Sequence, residues 1–188
     1  MTGSGDRLWA GIPISGEGLV LREWTSADVS AIVALFDDPD IAYRLPVASP
    51  FDQAAAQDFI EHARQARLDG SRLQLAITDE EDLPQGEVSF TLQTASIGYM
   101  VGAAYRGTGV AARGLRLLTS FAHRMGITTV YLTAEPDNLA SIAVARRVGY
   151  ERTEAKPIMV EDKGRRYALH TWTHSLSQDD AVQMRTSP

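Results

Sequence analysis

Residues 99–114 read YMVGAAYRGTGVAARG and join an apolar, strand-like run to an apolar, helix-like run. Glycine and alanine predominate at the junction, where small residues leave the backbone accessible. Backbone N–H groups in the first turn of a helix lack partners within the helix and lie at its positive end, so they attract anions. The stretch therefore predicts a strand–turn–helix unit that binds a phosphate group.

The composition is that of one globular domain. The chain has 188 residues, of which 44% are hydrophobic and 22% are charged, enough to bury a core of its own. We therefore treat residues 1–188 as a single domain, with small, polar ends at 1–5 and 177–188 that we expect to be loosely held. The formal net charge of -6 is opposite in sign to that of a typical nucleic-acid-binding domain.

Cysteine and several sequence patterns are absent, which excludes some kinds of functional site. The chain has no cysteine, which excludes disulfides, thiolate metal ligands and a cysteine nucleophile. The four histidines show no spacing with acidic residues that suggests a metal site; they are His62, His123, His170 and His174. The start of the chain does not resemble a signal peptide, and no segment approaches the roughly 20 apolar residues of a membrane span. We expect a cytoplasmic protein that binds no metal, membrane or nucleic acid.

Hydrophobic periodicity predicts a mixed α/β (α+β) order with a hairpin-rich sheet. Strand-like runs occur at 19–24, 72–78, 87–92, 96–101, 128–134, 150–153 and 167–173. Helix-like runs occur at 29–36, 51–68, 109–125 and 139–148, with a short helical turn at 41–45. The strands at 87–92 and 96–101 are separated by a short loop, so we expect them to pair as a hairpin.

The glycine junction has three interpretations. Gly107-x-Gly109-x-x-Ala112 fits the dinucleotide-binding pattern, but a hairpin precedes it, and too little chain follows to build the parallel sheet of that fold. A P-loop is excluded because no Gly-Lys-Ser/Thr occurs. The third interpretation takes Arg106-x-x-Gly109-x-Ala111 as a pyrophosphate site, in which backbone N–H groups hold the anion and Arg106 adds charge at the rim.

The junction resembles the acetyl-CoA pyrophosphate motif of the GCN5-related N-acetyltransferase (GNAT) family. The motif is carried by Arg106, Gly107, Thr108, Gly109, Val110 and Ala111. A second family segment, N-x-x-[AS]-x7-G-[FY], resembles NLASIAVARRVGY at 138–150. The segments LREWTSAD and SPFDQAAAQDFI are similar to the RimJ/RimL-type branch, and the resemblance covers about residues 19–174.

The resemblance implies a mostly antiparallel sheet that is splayed between its fourth and fifth strands, which we assign to 87–92 and 96–101. Acetyl-CoA would enter this split. Family members bind the pantetheine arm through backbone groups that correspond to Met100 and Val101, and through a side chain that corresponds to Asn138. The same resemblance places Ser141 beside the thioester.

The implied reaction is direct attack of an amine on the thioester in a ternary complex. Glu87 is the candidate general base, and Glu135 is a weaker candidate that also fits a plain turn position. Many family members protonate the leaving thiolate with a tyrosine at the position of Ala145, whereas the RimJ/RimL branch typically has a serine at the position of Ser141. By this resemblance the Ser141 hydroxyl would donate to the sulfur; the alternative is a first-turn helix serine that bonds to the backbone. Tyr150 is interpreted as core, and Tyr99 as structural or as a wall of the cleft. Three arginines could reach the CoA phosphates, but a solvated helix face is the preferred interpretation for each: Arg113, Arg146 and Arg147.

Three functions stay open from the sequence. The first is transfer of an acetyl group to a primary amine, either a protein N-terminus or a small molecule. The second is an acyl-CoA-binding regulatory module without turnover, and the third is a dinucleotide-dependent oxidoreductase. A homodimer would fit the habit of the family.

Overall fold

A central sheet of alternating apolar strands organises the molecule. The computed structural model describes residues 8–176, and within them the sheet has nine strands and is flanked by five helices. The predicted loose ends at 1–5 and 177–188 lie outside the described residues. No described helix has the length and apolar character that crossing a membrane requires.

The strands are β1 (Ile14–Gly16), β2 (Leu19–Glu23), β3 (Arg72–Thr78), β4 (Pro84–Thr91), β5 (Ser96–Val101), β6 (Thr129–Ala134), β7 (Glu151–Arg152), β8 (Ile158–Asp162) and β9 (Arg165–Ser175). The helices are α1 (Val29–Phe36), α2 (Pro39–Arg44), α3 (Gln53–Asp69), α4 (Val110–Arg124) and α5 (Leu139–Val148). The strand order is β1-β2-β3-β4-β5-β6-β9-β7, with β8 paired to β9. Neighbouring strands are antiparallel except β5 and β6, which are parallel. The sequence missed β1 and β8.

The two faces of the sheet are buried in separate cores. One face packs on α4 and α5 through alternating residues such as Leu75, Val88 and Phe90, all fully buried. The opposite face is covered by α1, α2 and α3, which enclose Ala76 and Met100. Because the side chains of a strand alternate between the faces, the polar residues of β4 lie beneath these helices, where Glu87 and Ser89 are buried.

Local capping interactions define the ends of two helices. The Asp28 carboxylate accepts a hydrogen bond of 2.8 Å from the Thr25 backbone N–H before α1. The Asn138 Oδ1 atom accepts a 3.0 Å bond from the Ser141 N–H and caps α5. Gly149 ends α5 with a left-handed φ of +97°, a conformation that glycine adopts without steric penalty.

The sheet diverges between β5 and β6, so the predicted position of the split was wrong. The strands at 87–92 and 96–101 form a continuous antiparallel hairpin, with Gly86 opposite Val101 and Thr91 opposite Ser96. β5 and β6 pair through Ser96 opposite Tyr131, and the register does not continue toward their carboxyl ends. A hairpin with a short loop holds its strands together, whereas the long crossover through α4 leaves the parallel strands free to separate.

Candidate active site

A cavity of about 770 Å³ lies at the carboxyl ends of β5 and β6, where the two strands part. Its walls come from four elements: the end of β5, the junction before α4, the first half of α5, and α2. In mixed and parallel sheets, ligands bind beyond the carboxyl ends of strands at a change of topology. The cavity is therefore the candidate active site.

The glycine junction forms one wall of this cavity. Gly107 and Gly109 have left-handed φ values of +78° and +83°, and a Cβ atom added at either would meet nothing within 4 Å. Gly109 is the N-cap of α4, so the backbone N–H groups of the next turn are directed at this open space. The arrangement fits a pyrophosphate group that approaches the backbone closely.

The other residues of the motif divide into three kinds. Arg106 and Ala111 line the cavity, and Val110 lines it while its side chain packs in the core at 2% exposure. Thr108 is not among the lining residues, because its hydroxyl donates a 2.6 Å hydrogen bond to the Tyr105 carbonyl. Thr108 thus shapes the turn in the described structure.

Arg106 lies at the rim as predicted, but its charge has partners that the sequence did not indicate. Its guanidinium is 3.1 Å from carboxylate oxygens of Asp38 and of Asp40, at the start of α2. The Arg106 side chain keeps 41% of its surface exposed. The ion pairs hold α2 against the junction, and a phosphate at the junction would compete with two carboxylates for the same guanidinium.

Met100 and Val101 line the cavity at the end of β5. The pairing of β5 with β6 ends at Ser96, so this part of the strand edge faces the cavity rather than a neighbouring strand. Strand edges present backbone N–H and C=O groups in a row. The placement fits an extended chain such as a pantetheine arm.

Tyr99, Asn138 and Ser141 meet on the α5 side of the cavity. The Tyr99 hydroxyl lies 2.8 Å from both the Ser141 carbonyl oxygen and the Ser141 Oγ atom. Burial raises the pKa of Tyr99 to about 12. The sequence predicts Tyr99 as structural or as a wall of the cleft, and the structure places it on the cavity wall. No pattern within β5 reveals its contact with Ser141, which lies 42 positions later.

Glu87 is enclosed beside the cavity and does not line it. It stands opposite Ala76 on β3 and Met100 on β5, and 7% of its surface is exposed. Burial raises the pKa of its carboxyl group to about 7, against the lowering effect of the Arg72 charge and of the neighbouring Gln74 and Trp24 side chains. A carboxyl group that titrates near neutral pH suits proton transfer.

Glu135 is buried but has two basic partners. Arg44 reaches one carboxylate oxygen at 3.1 Å, and Arg165 reaches the other at 2.7 Å. The pairs tie α2 and β9 to the end of β6. Guanidinium groups engage both carboxylate oxygens, so the structure favours the plain structural role for Glu135.

The other residues that the sequence singled out differ in whether they lie at the cavity. Of the three arginines, Arg147 lines the cavity, Arg113 donates to the Glu17 carbonyl at 2.7 Å, and Arg146 stacks over Trp172.

Tyr150 lies in the core, with its hydroxyl 2.8 Å from that of Thr119. His123 and His174 bond to each other at 2.9 Å, and within residues 8–176 no group of three potential ligands could hold a metal ion.

The fold and the cavity together define the class of the protein as an acetyltransferase. A model of the acetyltransferase (GNAT) domain matches residues 18–151, so the chain belongs to the GNAT family. This confirms the family indicated by the two sequence motifs. A search of curated protein sequences finds no match.

Solved structures share the fold at low sequence identity. A Vibrio cholerae protein assigned as a ribosomal-protein-serine acetyltransferase is 21% identical, with a TM-score of 0.77 over 88% of this chain and 98% of the other. RimL, a ribosomal L7/L12 α-N-protein acetyltransferase in complex with CoA, is 22% identical, with a TM-score of 0.74 over 90% and 98%. RimJ of Mycobacterium smegmatis, in complex with CoA-disulfide, is 18% identical, with a TM-score of 0.73 over 89% and 88%.

Proposed function

We propose that the protein transfers the acetyl group of acetyl-CoA to a primary amine by direct attack in a ternary complex. The observation that carries the proposal is the cavity between diverging β5 and β6, with the open glycine backbone of Gly107 and Gly109 at its wall. The relatives whose structures contain CoA share this fold, and the RimL relative acts on a protein α-amine. A protein N-terminus or a small-molecule amine is the acceptor class.

The glycine junction and the end of β5 would hold the acyl donor. The N-terminus of α4 takes the pyrophosphate, while the backbone edge of β5 that faces the cavity at Met100 and Val101 takes the pantetheine arm. Acetyl-CoA supplies an activated acyl group as a thioester. Backbone N–H groups aimed at its carbonyl oxygen would stabilise the negative charge that develops there during attack.

Glu87 would receive the proton of the attacking amine. A free α-amino group has a pKa of about 8, so near neutral pH a modest base keeps enough of it uncharged. Glu87 lies next to Met100 in register but beneath the cavity wall, so a water molecule would relay the proton. Ser141, at the opposite wall, would donate to the leaving sulfur.

One observation favours a second candidate, the acyl-CoA-binding module without turnover. Glu87 is enclosed and does not line the cavity, so the binding site is complete without it. The mostly antiparallel sheet argues against the third candidate, because dinucleotide-binding folds have a parallel sheet.

The proposal is tested by incubating the protein with acetyl-CoA and a panel of amines while free thiol is measured. The panel contains peptides with free and blocked N-termini, polyamines and aminoglycosides. The chain contains no cysteine, so every thiol detected belongs to CoA. Amine-dependent thiol release supports the proposal. Acetyl-CoA binding without release by any amine would favour the regulatory module.

We expect Gly109→Ala to raise the Kd of acetyl-CoA at least about tenfold, because a methyl group would occupy the phosphate position and an L-residue resists the left-handed φ. The measurement is calorimetric titration with acetyl-CoA. Gly126→Ala is the matched control: Gly126 has a φ of +90°, an equally open Cβ position, and lies just past the other end of α4. Both variants should lose about 1 kcal/mol of stability. Equal affinities of the two variants for acetyl-CoA would contradict the assignment of the glycine junction as the pyrophosphate site.

We expect Asp40→Asn to tighten acetyl-CoA binding by about two- to fivefold at low salt, because Arg106 loses a competing carboxylate. Asp40 is the better choice of the two partners, since Asp38 also caps α2. Asp58→Asn on the exposed surface of α3 controls for net charge. Titrations at two salt concentrations check the result, and weaker binding by Asp40→Asn would show that the ion pair supports the site instead.

A further inference from the structure

The Tyr99 hydroxyl crosses the split of the sheet. Tyr99 belongs to β5, which forms one wall of the cavity, and Ser141 lies in the first turn of α5, which follows the diverging strand β6. The hydroxyl of Tyr99 is 2.8 Å from the Ser141 carbonyl oxygen and 2.8 Å from its Oγ atom. Both residues line the cavity, so the pair is in reach of a bound acyl donor.

Tyr99 has one phenolic proton and can donate it either to the Ser141 carbonyl or to Ser141 Oγ. This leaves two possible hydrogen-bonding arrangements of the pair. If Tyr99 donates to the Ser141 carbonyl, the serine hydroxyl can donate to the Tyr99 oxygen, and its proton faces away from the cavity. If Tyr99 donates to Ser141 Oγ, the serine proton is free to turn into the cavity. The same heavy-atom positions therefore accommodate a resting and a donating state of Ser141, which differ only in proton placement.

We propose that Tyr99 is a positioning residue that directs the Ser141 hydroxyl proton to the leaving sulfur of the acyl donor. The inference rests on the proposed function. In the step, the amine nitrogen forms a C–N bond to the acyl carbon and the C–S bond breaks. The sulfur takes a proton from Ser141 Oγ, which Tyr99 supports as hydrogen-bond donor. The amine gives one proton to Glu87, and Glu87 then releases a proton to solvent while Ser141 regains one from solvent, so the protons balance.

The environment of Tyr99 suits a donor that keeps its own proton. Its side chain is largely buried, and burial raises its pKa to about 12, so the phenol stays neutral at working pH. A neutral phenol can donate a hydrogen bond to the serine oxygen as negative charge develops there. No charged group is needed at this wall of the cavity.

Tyr150 offers a matched control for a merely structural role. Its hydroxyl also makes a 2.8 Å contact with a hydroxyl, that of Thr119, and burial raises its pKa as it does that of Tyr99. Tyr150 lies in the core and does not line the cavity. Loss of its hydroxyl removes a similar bond without affecting the site.

The kinetic test compares Tyr99→Phe, Ser141→Ala, the double variant and Tyr150→Phe. We expect Tyr99→Phe to lower kcat about tenfold with the KM for acetyl-CoA unchanged, and to have no further effect in the Ser141→Ala background. Tyr150→Phe should lower stability and leave kcat unchanged. An unchanged kcat in Tyr99→Phe, or equal losses in both backgrounds, would overturn the inference while leaving the proposed function intact.

A second readout needs binding but no turnover. The ionisation of the CoA thiol in its complex is followed by the pH dependence of its alkylation, which is free of background because the chain has no cysteine. We expect bound CoA to ionise at lower pH with the wild type than with Tyr99→Phe or Ser141→Ala. Identical thiol ionisation in all three complexes would overturn the inference alone, whereas absence of CoA binding would overturn the proposed function and the inference with it.

Discussion

Glu87→Gln is expected to lower kcat by about 100-fold, because the amide has nearly the same shape but cannot accept the amine proton. The pH dependence of the rate distinguishes the loss of a general base from other effects of the substitution. The pKa of Glu87 is raised to about 7, so the rate profile of the wild type should contain a low-pH limb that falls below about pH 7, in addition to the ionisation of the amine substrate. In Glu87→Gln this limb should disappear, leaving only the ionisation of the amine substrate.

The same variant should change stability with a definite sign. The pKa of Glu87 is above its ordinary value of 4.5, so the folded state holds a proton that the unfolded chain releases between pH 4.5 and about 7. The stability that this proton confers is fully present below pH 4.5 and is lost as the pH rises through 7. Glutamine stays neutral throughout. Glu87→Gln should therefore be more stable than the wild type at pH 8, by up to about 3 kcal/mol, and equal to it near pH 4.

Urea unfolding at both pH values measures the effect of Glu87 on stability, and the pH dependence of the rate measures its part in catalysis. Glu81→Gln, in the exposed connection before β4, is the matched control and should change neither quantity. If Glu87→Gln gains stability at pH 8 yet keeps full activity and the low-pH limb, Glu87 is a buried carboxyl group without a part in catalysis. The base would then have to be sought elsewhere around the cavity.

Gly86→Ala is expected to lower the free energy of unfolding by about 3 kcal/mol and to abolish most of the activity. A Cβ atom at residue 86 would collide with the Met100 carbonyl oxygen and lie 3.0 Å from the Val101 Cα atom. These are backbone atoms of β5, which cannot rotate away. The hairpin would open at the strand segment that forms the cavity wall, and Glu87 would move with it.

Gly98→Ala is the control for this steric prediction. Gly98 lies on the facing strand β5, and its added Cβ would meet the Ser89 side-chain oxygen at 3.0 Å. The Ser89 hydroxyl can shift, at the cost of weakening the hydrogen bond that it accepts from Arg72, so we expect a loss of about 1 kcal/mol, well below that of Gly86→Ala. Urea unfolding and acetyl-CoA titration measure both variants. Equal stability of Gly86→Ala and the wild type would show that β4 and β5 are not held as closely as the structure indicates.

Local features of the site were predictable because each depends on a few consecutive residues. The left-handed glycines and the helix start at 107–110 form one turn, and Asn138 caps a helix three residues before Ser141. Backbone conformation and capping are decided within such distances, so this turn and this cap are encoded locally in the sequence. The two motifs in order also sufficed to predict the family.

The sequence by itself determined the strand–turn–helix unit, the elements around it and the family, because propensity, periodicity and capping act between near neighbours. Only the tertiary structure decided where the sheet parts, how deeply Glu87 is buried and which groups meet at the cavity. Tyr99 reaches Ser141 across 42 positions, and Arg106 reaches Asp40 across 66. The packing of α1, α2 and α3 on β4 likewise turns a polar strand face into a buried one. Such contacts depend on the packing of whole elements, which no local pattern encodes.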